Sequence, residues 1–514
     1  MKLIKNAHVL TLDEHDTEHD RADILIEGSK IIEVGPDLSI PTTVDDMSVI
    51  DARGLLAMPG LVNGHFHSPG NFLRGAVDDF PLEIFMLYEV PPFSNKLPPQ
   101  RLNYVRTLLS AIEMLKLGIT SVHDDAFYNP YPTQTEINSL MQAYVDIGMR
   151  AVVTIDTPNV IEYEKYPFLY DLLPAPVRQQ MATAPLMSNK DLIDLYGWFI
   201  DTWNGRFNGR IGTGVSCSAP QRVNLDYLQA LSELSTKHQI PYDIHILESK
   251  LQRVLGEQKY GKSLIRYVHD AEVLNKQVMV IHAVWVDQED MELMAQSNCS
   301  VAHNPLCNLK IGSGIMPFRR MRSLGIPIGL GTDEASVDDT ANLWQVGKTT
   351  GLIHKITDPE YYSWPSAHEI LDCLVHGGAR GMGLENKIGV LASGYEADLI
   401  LVDLNTLAFT PLNDLRRQLV YCENGSSVVL TMVAGNVVAE HGRVLAIDEE
   451  EIKAEVRELM IEYDEEISEA KAAAQRLYPY YREMYLKSSE KDVGFNRWAT
   501  NIDDRDDRNL ETAT

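Results

Sequence analysis

Alternation of apolar and polar positions opens the chain. Lys2 to Leu12, Asp23 to Glu27 and Lys30 to Val34 alternate with a period of two, and Gly28-Ser29 punctuates them as a turn. Val49 to Ala52 continues the pattern, so residues 1–57 read as a small β-domain. From Gly60 the texture changes. Nearly continuous apolar runs appear at Ala151 to Ile155, Ile211 to Cys217, Tyr242 to Leu247, Val278 to Ile281, Cys299 to His303 and Ile326 to Leu330. Segments of helical period separate them, among them Gln100 to Lys116, Gln134 to Gly148, Leu225 to His238 and Asp287 to Ser297. Strands apolar on both faces and separated by helices predict a parallel sheet buried on both sides. Between Leu61 and Gly331 there is room for about eight such units, which fits a (β/α)8 TIM-like barrel.

After Gly389 the β texture returns. Ala397 to Asp403, Val428 to Val433 and Val437 to Glu440 read as strands, with Ala434-Gly435-Asn436 as a hairpin turn. The fold class expected is therefore α/β. A barrel over 58–388 is bracketed by a β-sandwich built from 1–57 and 389–445. Residues 446–487 read as a C-terminal helical extension. Ile452, Val456, Leu459, Tyr463, Ile467 and Ala470 recur at spacings of three and four on one face. That face packs on the barrel or on a second subunit, which leaves a homodimer open. Pro479 is expected to end or kink the helix. Residues 488–514 are charged and polar and read as a flexible acidic tail, with Phe495 and Trp498 as the side chains that could dock it.

Charge narrows the partners. The formal net charge is −28, from 73 acidic and 45 basic side chains. Such a surface repels nucleic acid and anionic membranes, so neither is expected as a partner. The five cysteines, Cys217, Cys299, Cys307, Cys373 and Cys422, are odd in number, scattered, and free of any Cys-x-x-Cys. That fits free thiols in a reducing compartment. No signal peptide and no run of about 20 apolar residues is evident, so a cytoplasmic protein is expected.

In a parallel barrel, chemistry gathers where the strands end. His65 and His67 close the run that leads through Pro59-Gly60, and residues two apart on a strand share a face. His245 ends the next relevant run, with Glu248 three residues on. His282 ends Val278 to Ile281, His303 ends Cys299 to Ala302, and Asp333 ends Ile328 to Thr332. One histidine at a strand end is ordinarily a hydrogen-bonded core residue. A buried ring of such groups without a metal is costly. Imidazoles with one carboxylate suit zinc, and iron, manganese and nickel suit the same ligands.

These residues carry a resemblance. Pro-Gly-Leu-Val-Asn-Gly-His65-Phe-His67, His245-x-x-Glu248, Val-Ile-His282-Ala, Ala-His303-Asn-Pro-Leu-Cys-Asn308-Leu-Lys and Gly-Thr-Asp333 resemble the amidohydrolase superfamily. The branch they are most similar to is the metal-dependent aminohydrolases. It includes S-adenosylhomocysteine/methylthioadenosine deaminases, guanine and melamine deaminases and triazine hydrolases. Leu73-Arg74-Gly75 and Gly389 through Leu399 also match, and the likeness spans residues 1 to about 445. It implies one divalent metal, most simply zinc, on His65, His67, His245 and Asp333. It further implies Glu248 and His282 as proton-handling groups, with Asp333 taking the proton of the attacking water. The implied reaction is hydrolytic deamination. A metal-activated hydroxide attacks the ring carbon of an aminated nitrogen heterocycle, and ammonia leaves. Dihydroorotase-like relatives use a carboxylated lysine at the fourth strand, and Ile211 to Pro220 contains no lysine.

One departure bears on the substrate. Nucleoside-type deaminases carry a histidine after Ala-Pro near the fourth strand, whereas Ala219-Pro220 is followed here by Gln221. That favours a purine base, a pterin or an s-triazine over an adenosine derivative, with Gln221 on an amide edge of the ring or simply on the surface. Glu89, within a lid candidate from Phe80 to Pro92, and Trp344 are candidate substrate contacts, with core packing as the alternative. His303 and Asn304 are further candidate substrate contacts; Asn304 and Asn308 read as positioning groups, with a β-turn or cap as the alternative, and His123 lines the pocket or sits in the core. Two other readings stay open: loss of a different leaving group (chloride, alkylamine or thioether) from the same kind of ring, and a non-catalytic scaffold of the same fold.

Overall fold

The computed structural model describes residues 1–38, 47–77, 80–93 and 97–499; the side chains of 462, 464–467 and 470 also lie outside the description. Five strands open the chain: β1 (Lys2–Leu10), β2 (Glu18–Glu27), β3 (Lys30–Gly35), β4 (Ser48–Asp51) and β5 (Leu55–Pro59). Nine follow: β6 (Leu61–Phe66), β7 (Ile119–Phe127), β8 (Arg150–Asp156), β9 (Ile211–Thr213), β10 (Val215–Ser216), β11 (Tyr242–Ile246), β12 (Val278–His282), β13 (Ser300–His303) and β14 (Ile328–Leu330). The last four are β15 (Leu399–Asp403), β16 (Val428–Val433), β17 (Asn436–Glu440) and β18 (Arg443–Val444).

The middle strands pair in parallel as two sheets, β6-β7-β8-β9 and β10-β11-β12-β13-β14. Two features join them. Gly214 separates β9 from β10; its N–H donates to Val153 O of β8 at 2.8 Å, and Val215 N–H donates to Pro241 O at 2.9 Å. The run from Ile211 to Cys217 thus changes neighbour at this residue. A Cβ at Gly214 would lie 2.7 Å from Thr154 Cγ2, so the crossing needs a glycine. At the other edge a parallel bridge from Phe66 to Asp333 brings the end of β6 against the chain after β14.

Helices fill the intervals, and polar caps start them. Asn224 Oδ1 accepts Tyr227 N–H at 3.0 Å before Leu225–His238, and Asp287 forms a reciprocal capping box before Gln288–Gln296. Gly148, at φ 84°, stops Gln134–Ile147. Apolar residues of strands and helices merge in one large buried cluster, including Val122, Val153, Ile244, Val280 and Val301.

The first and last strands lie in one sheet, ordered β18-β17-β16-β15-β5-β1-β2-β3, with β4 on β1. The seam is the antiparallel pair β5–β15, Leu55 opposite Asp403 through Pro59 opposite Leu399. This sheet has its own apolar cluster around Ile4, Ile24, Ile26, Leu399 and Met432. A buried ion pair ties it to β8: Arg150 Nε lies 2.5 Å from Asp398 Oδ2.

The C-terminal helix runs from Glu449 to Ser489. It passes through Pro479 rather than ending there. Buried Ala474, Leu477, Tyr481 and Met484 flank the proline and pack with Ile84, Leu169 and Leu251 of the same chain. That packing offsets the roughly 3 kcal/mol that an interior proline costs. Of the expected apolar face, Ile452 is buried, with Val456 and Leu459 against the same core; Ile467 and Ala470 fall on side chains outside the description. The tail expected to hang free from Ser488 does not do so up to residue 499. The Phe495 and Trp498 rings lie 6.0 and 5.1 Å from that of Trp285. Arg497 Nη2 donates to Val286 O at 2.6 Å, and Trp498 Nε1 donates to Gly312 O at 3.0 Å. Aromatic burial holds this segment down despite its charge. Residues 500–514 of the expected tail lie outside the described residues. No helix of the described residues is long and apolar enough to cross a membrane.

Candidate metal centre and active site

Six of the residues expected at strand ends converge on one point. His65 lies in β6 and His67 just after it, His245 in β11, His282 at the end of β12, and Glu248 and Asp333 in the loops after β11 and β14. Ring centroids of His65 and His67 are 4.6 Å apart, and those of His65 and His245 are 5.0 Å apart. Asp333 Oδ1 lies 3.5 Å from His67 Nε2 and 3.7 Å from His65 Nε2. The loop backbone is unusual here: His282, Asp333, Ser218 and Leu247 adopt φ of 70°, 59°, 65° and 56°, a left-handed conformation that non-glycine residues hold at a cost.

Tautomers follow from the partners. His245 Nδ1 is 2.9 Å from Ser218 O, and His67 Nδ1 contacts Asp125 O. A carbonyl only accepts, so each Nδ1 carries the proton and each Nε2 presents a lone pair. The two Nε2 atoms face each other at 3.2 Å. His65 is wholly buried, and neither of its ring nitrogens has a hydrogen-bond partner among the described residues. Burial, reinforced by the neighbouring imidazoles, pushes the pKa values of His65 and His245 well down. Protons therefore do not resolve the crowding. Donor atoms of His65, His67 and His245 lie within 4.8 Å of one another, as do those of His65, His282 and Asp333. Neutral imidazole lone pairs converging on a carboxylate fit a divalent cation.

Beside this centre, His282 Nε2 stands 3.5 Å from Glu248 Oε2 and 3.5 Å from Asp333 Oδ2. Its Nδ1 is 3.0 Å from Asn308 Oδ1 and 3.5 Å from Asn304 Nδ2; the shorter contact puts the proton on Nδ1. Burial, then the negative charge of Asp333 and Glu83, pushes the Glu248 carboxyl well up, so it holds a proton where an ordinary glutamate would not.

A cavity of about 160 Å³ opens above the group, lined by His67, His245, Glu248, His282 and Asp333. Glu89 lines it too, on the helix Leu82–Glu89 together with Phe85 and Met86. Gln221 does not. In the short turn Pro220–Arg222 its side chain joins Leu251 and Gln252 in a separate pocket, and the next residue, Arg222, reaches the cavity instead. Trp344 is buried away from the cavity, its Nε1 donating to Leu117 O at 2.9 Å. His303 faces His354, Nε2 to Nε2 at 3.0 Å, and does not line the cavity; Asn304 stands behind His282. His123 is buried with its Nε2 3.1 Å from Asp243 Oδ2, in the core.

The sequence reading missed Asp156, Ser218, Arg222 and Glu334, all on the cavity wall. Asp156 ends the apolar run Ala151 to Ile155, so the strand-end rule could have found it. Glu334 sits next to Asp333 and opposite Glu89. Burial, then the charge of Glu89, pushes its carboxyl well up. Glu334 Oε2 has no hydrogen-bond partner among the described residues.

Comparison with known proteins agrees with this geometry. The profile of the amidohydrolase family matches residues 56–438. A 5'-deoxyadenosine deaminase of Methanosarcina acetivorans is 30% identical over 455 residues, 88% of this chain and 96% of that protein. A 5-methylthioadenosine/S-adenosylhomocysteine deaminase of Halothermothrix orenii is 31% identical over 461 residues, 89% of this chain and 98% of that protein. Among solved structures, the zinc complex of the atrazine chlorohydrolase TrzN from Arthrobacter aurescens superposes with a TM-score of 0.81 at 24% identity, covering 89% and 100% of the two chains. A zinc-bound adenosine deaminase from Xanthomonas campestris gives a TM-score of 0.77 at 23% identity, covering 90% and 98%.

Proposed function

The chain belongs to the amidohydrolase family, and we propose that within it this protein is a metal-dependent aminohydrolase that releases ammonia from an aminated nitrogen heterocycle. The observation that carries this reading is the placement of Glu248 and His282 beside the His65, His67, His245 and Asp333 donor set in one cavity. We read the two parallel sheets as one (β/α)8 barrel over 58–388, supported by the joins at Gly214 and Phe66, and the outer sheet as a β-sandwich made from both ends of the chain.

His65, His67, His245 and Asp333 would hold the ion, most simply zinc, as in the two zinc-bound neighbours. Such an ion supplies acidity to a bound water near neutral pH. The chain's own groups do the rest. Glu248, protonated before the reaction, donates to the ring nitrogen next to the aminated carbon and makes that carbon electrophilic. Asp333 accepts the proton that the attacking water gives up, and the Glu248 carboxylate relays it to the departing amine. His282, its Nδ1–H held by Asn308, turns the Nε2 lone pair toward the attacking water and orients it. Glu89 and Glu334 present acceptor oxygens that suit a donor-rich edge of the ring, an amino group beside a ring N–H.

Because the curated relatives are named for adenosine derivatives, these belong on the substrate panel beside purine bases, pterins and s-triazines. Gln221 does not line the cavity, so its reading as a contact to an amide edge of the ring falls away. Ammonia release measured across that panel with zinc-loaded protein tests the proposal. Release from at least one class is expected, and silence across all of them overturns it. Product mass spectrometry separates loss of ammonia from loss of chloride, an alkylamine or a thioether, the second reading that the triazine-hydrolase likeness keeps alive.

A further inference from the structure

A second chamber, of about 560 Å³, lies between the C-terminal helix and the helix Gln100–Lys116. It shares Glu89, Pro91, Phe127, Tyr128 and Asn129 with the catalytic cavity as a common wall. Its lining is strongly aromatic, with Phe72, Tyr88, Phe93, Phe127, Tyr128 and Tyr463. Set into it is Arg106, only 7% exposed.

We propose that this chamber binds an organic oxyanion, a carboxylate or phosphate on a flat apolar body, with Arg106 as its counter-ion. Arg106 is the unusual element. Its Nε has no hydrogen-bond partner, and no ion pair joins its guanidinium to a carboxylate among the described residues. A guanidinium stays charged at any physiological pH, and burying it without a partner costs several kcal/mol, so such groups are ordinarily paired. The acids that share the chamber close no ion pair with Arg106, although Glu136 is near enough to act on it electrostatically. Glu136 Oε2 accepts from Thr133 Oγ1 at 3.0 Å at the start of its own helix, and Glu89 Oε1 accepts from Ser336 Oγ at 3.4 Å on the catalytic side. Glu469 and the exposed Arg476 stand on the C-terminal helix and leave the chamber wall mixed in charge. A planar fork of N–H donors with aromatic walls matches the bidentate geometry of a carboxylate or phosphate and the flat body that carries it. Water alone could fill the space, and the test distinguishes the two.

Isothermal titration of the zinc-loaded full chain with benzoate, phenyl phosphate and neutral benzamide is the measurement. At least one anion is expected to bind one per chain, ten-fold or more tighter than benzamide. Arg106→Gln and Arg106→Met are expected to remove that preference, and Arg106→Lys to keep part of it. Benzamide binding wild type as tightly as both anions overturns the proposal without recourse to any variant. So does an anion preference that survives in either neutral variant with an unchanged circular dichroism spectrum, since the anion would then sit at the metal. The readout needs no turnover, so it stands or falls separately from the deaminase reading.

Discussion

The Nε2 atoms of His67 and His245 point at each other across 3.2 Å, and both carry lone pairs because both Nδ1–H groups are committed to backbone carbonyls. Two lone pairs at that distance repel, and burial denies the His245 ring a ready proton. A cation between them turns the repulsion into ligation. Binding that is specific for the folded state stabilises it by about 4 kcal/mol when free metal stands at 1,000 times Kd. Dialysis against a chelator is therefore expected to lower the thermal midpoint, and readdition of zinc to restore it. His67→Ala or His245→Ala is expected to lower the zinc content measured by elemental analysis and to shrink the chelator effect. An unchanged midpoint after complete metal removal would count against the site.

Glu248 differs from the four residues proposed to hold the ion in that its proposed role is to move a proton. Glu248→Gln keeps the size and a hydrogen-bonding end but cannot release and recapture a proton. The variant is expected to bind zinc as wild type does and to lose about 10²- to 10⁴-fold in kcat, the usual worth of a positioned general acid-base. Zinc stoichiometry and kcat measured on the same preparation check both halves. Near-normal kcat would remove Glu248 from the mechanism.

Arg150 and Asp398 hold the outer sheet to the parallel strands. Arg150 is 2% exposed and Asp398 3%. Arg150 Nη2 also lies 3.4 Å from Glu396 Oε2. Replacing the arginine leaves the buried Asp398 carboxylate without its cation, while Glu396 keeps Lys30 Nζ at 2.7 Å. Arg150→Met is expected to cost roughly 3–5 kcal/mol in urea unfolding, the range for breaking a buried pair from one side. Adding Asp398→Leu to Arg150→Met is expected to recover part of the loss, although Asp398 Oδ1 also accepts from Ala434 N–H at 2.6 Å. A loss below about 1 kcal/mol, the level of an exposed pair, would show that the two layers are held by their apolar contacts alone.

What could be read from the sequence was what periodicity and strand ends encode. Runs such as Val278 to Ile281 are apolar on both faces because the strand is buried on both, and the functional groups follow directly where each run stops. The convergence of His65, His67, His245 and Asp333 was legible for that reason. Gln221 was misjudged because one turn of 3-10 geometry, over Pro220–Arg222, decides which of two adjacent side chains enters the cavity, and no pattern of hydrophobicity records that choice. Trp344 was misjudged because proximity in sequence to Asp333 says nothing about which end of the fold a side chain faces. The tail around Phe495 and Trp498 reads as polar on average, yet those two rings, docked on Trp285, outweigh the composition. Arg106 looks in sequence like any helix arginine, and only the folded chamber shows that no carboxylate among the described residues pairs with it.

Asp287 gives a test in acid. Its Oδ1 accepts Asp290 N–H at 2.9 Å as the cap of Gln288–Gln296, and its Oδ2 lies 2.8 Å from both Arg253 Nη2 and Arg266 Nη2. Partial burial pushes the carboxyl up, but the Asp290 amide and the two guanidinium groups outweigh it and hold the pKa down to about 2. An unfolded aspartate titrates near 3.9. The folded value is the lower one, so the carboxylate's contribution to stability is fully present above about pH 4 and disappears as the pH falls through about 2. The group is partly open to solvent, so salt is expected to weaken the effect. Thermal midpoints of wild type and Asp287→Asn between pH 6 and pH 2 check this. The wild type is expected to be the more stable of the two at pH 6, with the gap closing as the pH drops below 4 and shrinking further in 1 M NaCl. A gap that stays constant down to pH 2 would mean that the cap geometry, which asparagine preserves only in part, rather than the charge on Asp287, supports this end of the helix.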